Sequence, residues 1–492
     1  MTVGSESLRY WIDMTLECIR RDHTNTPCSM LSVGDQRGPF LSARAVGLAL
    51  GALHDAHAFA AGRPPLLAIA ASAGLAGADP TIAAAAACHQ LLLLRYPKQA
   101  RMLTPAWRNW EELHAGAGGG GVEMAGRLFG AAVHAFGVGD PMDAMPDKYT
   151  PTGQDYTHAA PPNEPGQRFA GANWGNAPPL IATRVAFPPP PGRISAIQVA
   201  PTAHFQADFD KVVGKGIDQR GAGTRTYEEE LTGIYWGYDG PPELGTPPRL
   251  YLQVVLGVLD AVEAAKRGAL TTAEELQLIA GVGIALADAG IDAWHYKYSP
   301  KHMMWRPVVG IRGAVTGNGT AIPGWLPLGR PDTNGLGQTL TPDFPAYPSG
   351  HATFGATAFQ LLRLFLVHKG LAKFDPQGVD NVDFDFVSDE YNGRNTDPRT
   401  QRPRELVTRR HSSLWQAIVD NSVSRVYLGV HWQFDGITTK TAAEPDGGFG
   451  IPSTPDQVGK IGGVWLGAQI ANQIAAKIGV SASVINKSRL DQ

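Results

Sequence analysis

Between residues 138 and 248 the chain cannot hold long regular elements. Proline and glycine are dense there, with Pro161-Pro162, Pro178-Pro179 and a run from Pro188 to Pro191, and each proline fixes φ and removes a backbone donor. Yet Phe169, Trp174, Leu180, Ile181, Phe187, Phe205 and Phe209 make the tract too apolar for a disordered linker. The expectation is a long ordered loop wrapped over helices formed elsewhere. One short helix is predicted at 227–238, ended by Asp239-Gly240.

Those other helices have readable starts. Ser42 can cap a helix over 43–61. Asp79-Pro80 is a cap followed by proline at the first helical position, which predicts a helix to about 94. A third apolar segment, 122–136, follows a run of glycines from Gly116 to Gly121. Beyond the tract, 250–267 is amphipathic, and Thr272-Ala273-Glu274-Glu275 reads as a capping box opening a long helix towards Trp294. After a Gly/Pro-rich loop over 311–345, a helix is predicted at 351–367, then a polar stretch over 371–410. Ser412 or Ser413 caps a helix carrying Asp420 and Arg425, and a last helix covers about 457–478. Few segments alternate as strands do. The fold class is therefore mainly α, and two regions divide naturally. Residues 1–248 would form an N-terminal bundle with its wrapping segment, and 249–492 a C-terminal bundle; one compact domain over the whole chain is compatible with the same pattern.

Composition narrows the partners. The chain has 492 residues, 43% of them apolar, and a net charge of −3 with no basic run, which excludes a nucleic-acid-binding electrostatic footprint. Cys18, Cys28 and Cys88 are too scattered for a zinc site; Cys18 and Cys28 could bridge, although free thiols fit better. Glu6, Arg9, Asp13 and Glu17 interrupt any secretory leader, so a soluble, cytoplasmic protein is expected, with homo-oligomers allowed. The most apolar region, 66–94, is cut by Asp79-Pro80 into halves too short to span a bilayer.

Three stretches carry the chemistry. The first holds Trp294, Lys297 and Arg306-Pro307; the second is Phe344-Pro345-Ala346-Tyr347-Pro348-Ser349-Gly350-His351; the third runs from Ser424-Arg425 to Val430-His431, with Asp435 four residues on. Together they supply forked and mobile cations, two histidines, a hydroxyl and a glycine N–H, an inventory for gripping a tetrahedral oxyanion such as phosphate or vanadate. Pro348-Ser349-Gly350 should open a helix, whose unpaired N–H groups favour an anion. His431 and Asp435 share a face if helical, so Asp435 can orient His431. Arg425 and His431 do not share one, and Gly429 between them allows a break. His295, His302, His54, His57 and His89 fit packing or surface roles better than ligation.

These stretches, in this order, resemble the type 2 phosphatidic acid phosphatase superfamily and, within it, the vanadium-dependent haloperoxidases. Weaker similarity extends over 43–56, Trp174-Gly175, 225–239 and 250–312, so that most of 40–436 is covered. The resemblance implies two four-helix bundles joined by long Pro/Gly-rich loops, with the site on the second. It implies vanadate bonded to His431, with Lys297, Arg306, Ser349, Gly350 and Arg425 on its oxygens and His351 as the acid–base residue. Asp239 would pair with Arg425. One departure stands out: Arg306 lies nine residues after Lys297 and five after Lys301, and neither matches the family's spacing. The family's tryptophan three residues before its lysine favours Lys297, with Lys301 as the alternative. Phe344 matches a phenylalanine of chloride-oxidising fungal enzymes, where algal bromide enzymes have histidine.

The implied activity is oxidation of bromide or iodide, and of chloride at acidic pH, by hydrogen peroxide to hypohalous acid, which halogenates a small organic acceptor. The competing reading is an acid phosphatase of the same superfamily, with His431 forming a phospho-histidine and His351 protonating the leaving group. A non-catalytic oxyanion binder would need the cations but not both histidines.

Overall fold

The structure, a computed structural model, describes residues 3–24, 34–67, 69, 74–114, 120–141, 149–192, 202–218, 222–265, 268–313 and 320–490. Cys28 and the glycines before Gly120 in the run 116–121 lie outside the described residues; Cys18 and Cys88 are buried free thiols. The chain is mainly helical. The first half holds α1 (Val3–Asp22), α2 (Pro39–Ala60), α3 (Pro80–Arg95), α4 (Ala100–His114), α5 (Gly120–Phe136), α6 (Ala203–Lys215) and α7 (Tyr227–Tyr235). The second holds α8 (Pro247–Ala264), α9 (Thr272–Tyr298), α10 (Pro307–Arg312), α11 (Gly350–His368), α12 (Leu414–Tyr427), α13 (Gln433–Gly436), α14 (Gly463–Lys477) and α15 (Ala482–Lys487).

Several starts follow the expected chemistry. Asp79 accepts from Thr81 N and Ile82 N at the head of α3, and Ser413, rather than Ser412, accepts from Gln416 N at the head of α12. Others differ by a short offset. The capping box of α9 is built on Thr271 and Glu274, one residue earlier than read, because Thr271 Oγ1 accepts from Glu274 N while the Glu274 carboxylate accepts from Thr271 N. Helix α2 begins at Pro39, not 43. Proline needs no donor at that position, and Ser42 is already inside the helix, where its hydroxyl donates to Gly38 O and Gln36 O. The last long helix starts at Gly463, because residues 455–457 form a separate 3-10 turn. Helices α1, α4 and α6 escaped the sequence reading.

The polar stretch after α11 holds β1 (Phe384–Asn392), β2 (Thr396–Asp397), β3 (Arg402–Pro403) and β4 (Leu406–His411). β1 and β4 pair antiparallel from Phe384↔His411 to Asn392↔Leu406, with a bulge between Val387 and Asn392. Ser388 Oγ donates to Tyr235 O at 2.6 Å and Tyr235 Oη donates to Phe386 O at 2.7 Å. Glu390 accepts from Tyr238 N. The hairpin thereby fixes the end of α7 and the Gly237–Asp239 turn that follows it.

Helix α9 is the axis of the molecule. By length and composition it is apolar enough to cross a bilayer, but 94% of its most apolar window is buried, packed mainly against α2 and α11. Each Leu, Ile or Val so buried contributes about 1.5–3 kcal/mol of transfer free energy. A Cβ at Gly47 of α2 would meet Ala287 Cβ at 2.8 Å and Gly283 O at 3.0 Å, so glycine sets how closely the two helices approach. One continuous cluster of buried apolar side chains runs from α1 through α14 and includes residues of both halves.

The Pro/Gly-rich tract wraps as expected, and α9 supplies its missing backbone partners. Asp288 accepts from Leu180 N, Ile181 N and Ala182 N at 2.6–2.9 Å, and Asp292 accepts from Val185 N at 3.0 Å. Tyr296 Oη donates to Val185 O. One carboxylate thus does for this loop what a neighbouring strand would do. Asp288→Ala strands three buried donors, each lost acceptor being worth about 1–3 kcal/mol. The expected result is faster proteolytic cleavage within 180–187, partly recovered in Asp288→Asn. A cleavage rate equal to the parent's contradicts this account.

Candidate active site

Helix α12 delivers the first cation. Arg425 lies in its last turn, and the helix stops in a Schellman motif: Gly429 N donates to Val426 O and Val430 N to Arg425 O. Gly429 has φ +69°, and a Cβ there would meet Gly216 O at 2.5 Å, so only glycine makes this break. The reversal brings His431 back towards Arg425, which a straight helix cannot do. Arg425 is fully buried and forks onto Asp239, Nη1 to Oδ2 at 2.9 Å and Nη2 to Oδ1 at 2.8 Å. Burial raises the Asp239 carboxyl, but Arg425 and the neighbouring His351 more than offset it, so its pKa is lowered.

His431 is oriented from the other side. Its Nδ1 pairs with Asp435 Oδ2 at 2.9 Å, and the same oxygen accepts from Trp432 N. This pairing does not use a shared helical face. Helix α13 is a single turn that begins after Trp432, so His431 lies outside it and the turn itself brings Asp435 round. Arg306 Nη1 donates to His431 Nε2 at 2.9 Å. A guanidinium has no acceptor, so Nε2 carries a lone pair and Nδ1 the proton. The ring is neutral, its pKa pushed well below the usual range by burial and then by Arg306, Lys297 and Arg425. Burial pushes the Asp435 carboxyl up, against the pull of Lys297 and Arg306.

Arg306 stands just before α10 and its side chain reaches back: Nε donates to Phe344 O and Nη1 to Val430 O, both at 2.8 Å. Lys297, the penultimate residue of α9, is fully buried. Its ammonium donates to Pro345 O at 2.8 Å, Ala346 O at 3.2 Å and Pro348 O at 2.5 Å. Burial pushes its pKa well down, while three carbonyl acceptors favour the three-proton form. Lys301 is exposed beyond the helix end. The longer spacing to Arg306 is taken up by a turn in which Ser299 O accepts from His302 N and Met303 N.

Ser349 caps α11, accepting from Ala352 N at 3.4 Å, and its own N–H donates to Asp435 O at 2.7 Å. His351 follows in the first turn. Its Nε2 lies 2.6 Å from Gly237 O, so Nε2 carries the proton and Nδ1 is the basic nitrogen. Burial, then Arg425, lowers its pKa to about 4. Its backbone carbonyl is held by Tyr251 Oη at 3.0 Å and Asn421 Nδ2 at 2.9 Å.

Gly350, His351, Arg425, His431 and Asp239 line one cavity of about 450 Å3, with Phe344 and Trp294 on its wall. Phe344 lies 4.7 Å from Trp294, with Lys297 Nζ 5.1 Å and Arg306 Cζ 5.0 Å from its ring centre. Lys297 and Arg306 lie against the Phe344 ring, and neither they nor Ser349 line the cavity. Two buried guanidinium atoms, Arg306 Nη2 and Arg425 Nε, have no hydrogen-bond partner among the described residues. His302 Nε2 binds Phe187 O, His54 binds Asp55 and His89 stacks on Trp107, all away from the cavity. Sequence reading missed Tyr251 and Asn421. Asn421 stands four residues before Arg425 on α12, so the helical repeat could have shown it; nothing comparable marks Tyr251.

Residues 277–448 match the family described as the VCPO second helical-bundle domain. The vanadium chloroperoxidase of Curvularia inaequalis is 31% identical over 424 residues, covering 72% of this chain and 68% of its own. The fold is similar to that of a bacterial vanadium-dependent iodoperoxidase, with a TM-score of 0.61 and 17% identity over 95% of this chain and 96% of that one. It is also similar to a holo-type bacterial vanadium-dependent chloroperoxidase, with a TM-score of 0.60 and 14% identity over 96% of each chain. The two solved structures speak for the fold, and the fungal sequence, matched over more than two thirds of either chain, shows that this protein is an enzyme of the vanadium haloperoxidase family.

Proposed function

We propose that the chain binds vanadate at His431 and oxidises halide with hydrogen peroxide, X⁻ + H2O2 + H⁺ giving HOX + H2O. The observation that carries this reading is the pair of orphaned buried donors, Arg306 Nη2 and Arg425 Nε, around a neutral histidine. Arg44 Nη1 and Arg249 Nε are orphaned in the same way elsewhere, so what counts is the place of this pair around the His431 ring, where forked guanidinium donors suit an oxyanion. His431 Nε2 would hold the metal through the lone pair that now accepts from Arg306 Nη1, and Asp435 fixes the tautomer, as metal-bound histidines require. The N–H groups of Gly350 and His351 open α11 beside them, where the helix dipole adds positive potential.

Bound vanadate would supply Lewis acidity towards hydrogen peroxide. The remaining work falls to side chains. His351, neutral and protonated on Nε2, can take a proton from incoming peroxide at Nδ1 and return it to the departing water. Arg306, Arg425 and Lys297 spread negative charge in a floor where screening by water is weak. Lys297 acts from behind, holding the 345–348 carbonyls that shape the turn before Ser349, whereas Lys301 is exposed.

Protein stripped of vanadium with a chelator should be inactive and regain bromide oxidation with added orthovanadate, more slowly in excess phosphate. His431→Ala should no longer retain vanadium. His351→Ala should retain it yet lose roughly 10²–10⁴-fold in turnover. Full bromide oxidation by vanadium-free protein, or wild-type rates from His351→Ala across pH 5–8, would sink this assignment.

The family covers enzymes named for chloride and for iodide, so the halide must be argued from the wall. Phe344 covers Lys297 and Arg306 with an apolar face. That lowers the local dielectric and strengthens their pull on a bound anion, which favours the harder oxidation of chloride. Bromide and iodide oxidation should therefore be joined by measurable chloride oxidation at pH 4–6. Phe344→His should reduce the chloride rate more than the bromide rate. Wild-type protein that brominates but makes no hypochlorous acid in this range contradicts the assignment.

A further inference from the structure

The cavity is larger than its floor needs. Its volume of about 450 Å3 falls in the range of pockets that enclose whole organic molecules, whereas peroxide and halide are species of one or two heavy atoms. Part of its lining comes from two segments far apart in sequence. His23 and Arg37 lie in the connection between α1 and α2, and Arg330 lies in the loop between α10 and α11.

These three basic groups converge. His23 Nδ1 binds Ile19 O at 3.0 Å and its Nε2 accepts from Gly38 N at 3.4 Å, so the ring is neutral and both nitrogens are used. Burial lowers its pKa, and Arg37 and Arg330 are both near enough to lower it further. Arg330 is anchored, with Nη1 on Asp239 O at 2.7 Å, and its buried Nε has no partner among the described residues. Arg37 stands on fixed backbone: Asp35 N and Gln36 N donate to the Asp22 carboxylate at 2.9 and 2.8 Å, and Gln36 Nε2 donates to Arg95 O. Its exposed guanidinium lines the cavity.

The acidic groups of the rim are turned to other tasks or set opposite charge beside them. Glu164 accepts from Thr341 N and Gln167 Nε2, both at 3.3 Å, and the Asp239 carboxylate is taken by Arg425. Asp343 adds one negative charge next to Phe344. The rim therefore orients a charged molecule rather than concentrating one sign. Phe344 gives the same cavity a half-buried aromatic face, backed by the fully buried Trp294, which packs in turn against Phe354.

We propose that the mouth is a binding site for an aromatic acceptor bearing a carboxylate, with the anion on Arg37 and Arg330 and the ring against Phe344. The site rests on the haloperoxidase reading for its chemistry. Hypohalous acid formed at the floor would meet a held ring: a carbon–halogen bond forms, the O–halogen bond breaks, the ring proton leaves, and ArH + HOX gives ArX + H2O. Guanidinium forks match carboxylates in shape as well as charge.

The probes are 4-hydroxyphenylacetate and its neutral amide, whose rings are nearly equally reactive. Calorimetry on vanadium-free protein should show binding of the acid in preference to the amide. Arg37→Ala should weaken the acid about tenfold, the scale of one lost charge-assisted hydrogen bond, and Arg37→Glu should weaken it more. In a competition with bromide, peroxide and vanadate, wild type should enrich brominated acid over brominated amide relative to reagent hypobromite. Arg37→Ala should return to the reagent ratio at an unchanged rate of bromide oxidation. Equal binding of acid and amide, or a wild-type product ratio equal to the reagent's, overturns the proposal. Failure of wild type to oxidise bromide would instead overturn the reading of the floor, with the calorimetry still deciding the mouth.

Discussion

Three cations without access to water meet at one floor. Lys297 and Arg306 are 0% exposed and Arg425 is 1% exposed. Taking an ion out of water costs several kcal/mol even after relaxation, so no part of the surrounding chain is free to vary at random. Each cation is matched by a different device. Lys297 meets three loop carbonyls, Arg425 a forked carboxylate, and Arg306 two carbonyls and an imidazole lone pair. The carboxylates at the floor are Asp239 and Asp435, and Asp435 is pushed towards its neutral form by burial. Positive charge is left over, together with two unpaired guanidinium N–H directions. An oxyanion balances that charge and takes up those two donors, while Asp435 Oδ1, also buried, has no partner among the described residues.

The rest of the architecture follows from holding those devices still. Helix α9 ends where Lys297 must stand, and its upper length binds the Pro/Gly-rich tract through Asp288 and Asp292. The β1–β4 hairpin clamps the end of α7, which sets the Gly237–Asp239 turn used by both His351 and Arg425. Irregular chain lies close to the chemistry because carbonyls and amides at odd angles are what this floor consumes. Helices supply the rigidity and the single N-terminus at Ser349.

Much of this was legible in the sequence, for reasons that differ by element. Asp79-Pro80 and Ser413 mark their helices because capping is local chemistry carried by the residues themselves. Ser42 misled because serine inside a helix can donate to a carbonyl of the preceding turn, here Gly38 O, as readily as it can cap. The 371–410 stretch hid a hairpin because β4 carries adjacent arginines, Arg410 on its exposed face and Arg409 half-buried against Thr232 and Tyr235, so its inner face is polar too and the stretch reads as polar loop. At the site, Arg425, Asp239, His351 and His431 converge as the motifs implied, and Gly429 makes the break that their spacing demanded. The His431–Asp435 pair was anticipated for a helical face and is achieved by a capped turn instead. The meeting of His23 and Arg37 with Arg330 was invisible, since no periodicity links the α1–α2 connection to a loop almost three hundred residues later.

The central claim is that the leftover charge and unpaired donors around His431 define a vanadate site. A crystal structure of the protein grown with orthovanadate, with anomalous data at the vanadium edge, tests it most directly. The account predicts one vanadium peak at bonding distance from His431 Nε2, with Arg306 Nη2 and Arg425 Nε donating to its oxygens and Asp435 still on His431 Nδ1. A vanadium peak elsewhere, or none at saturating orthovanadate with Arg306 still hydrogen-bonded to His431, would contradict it.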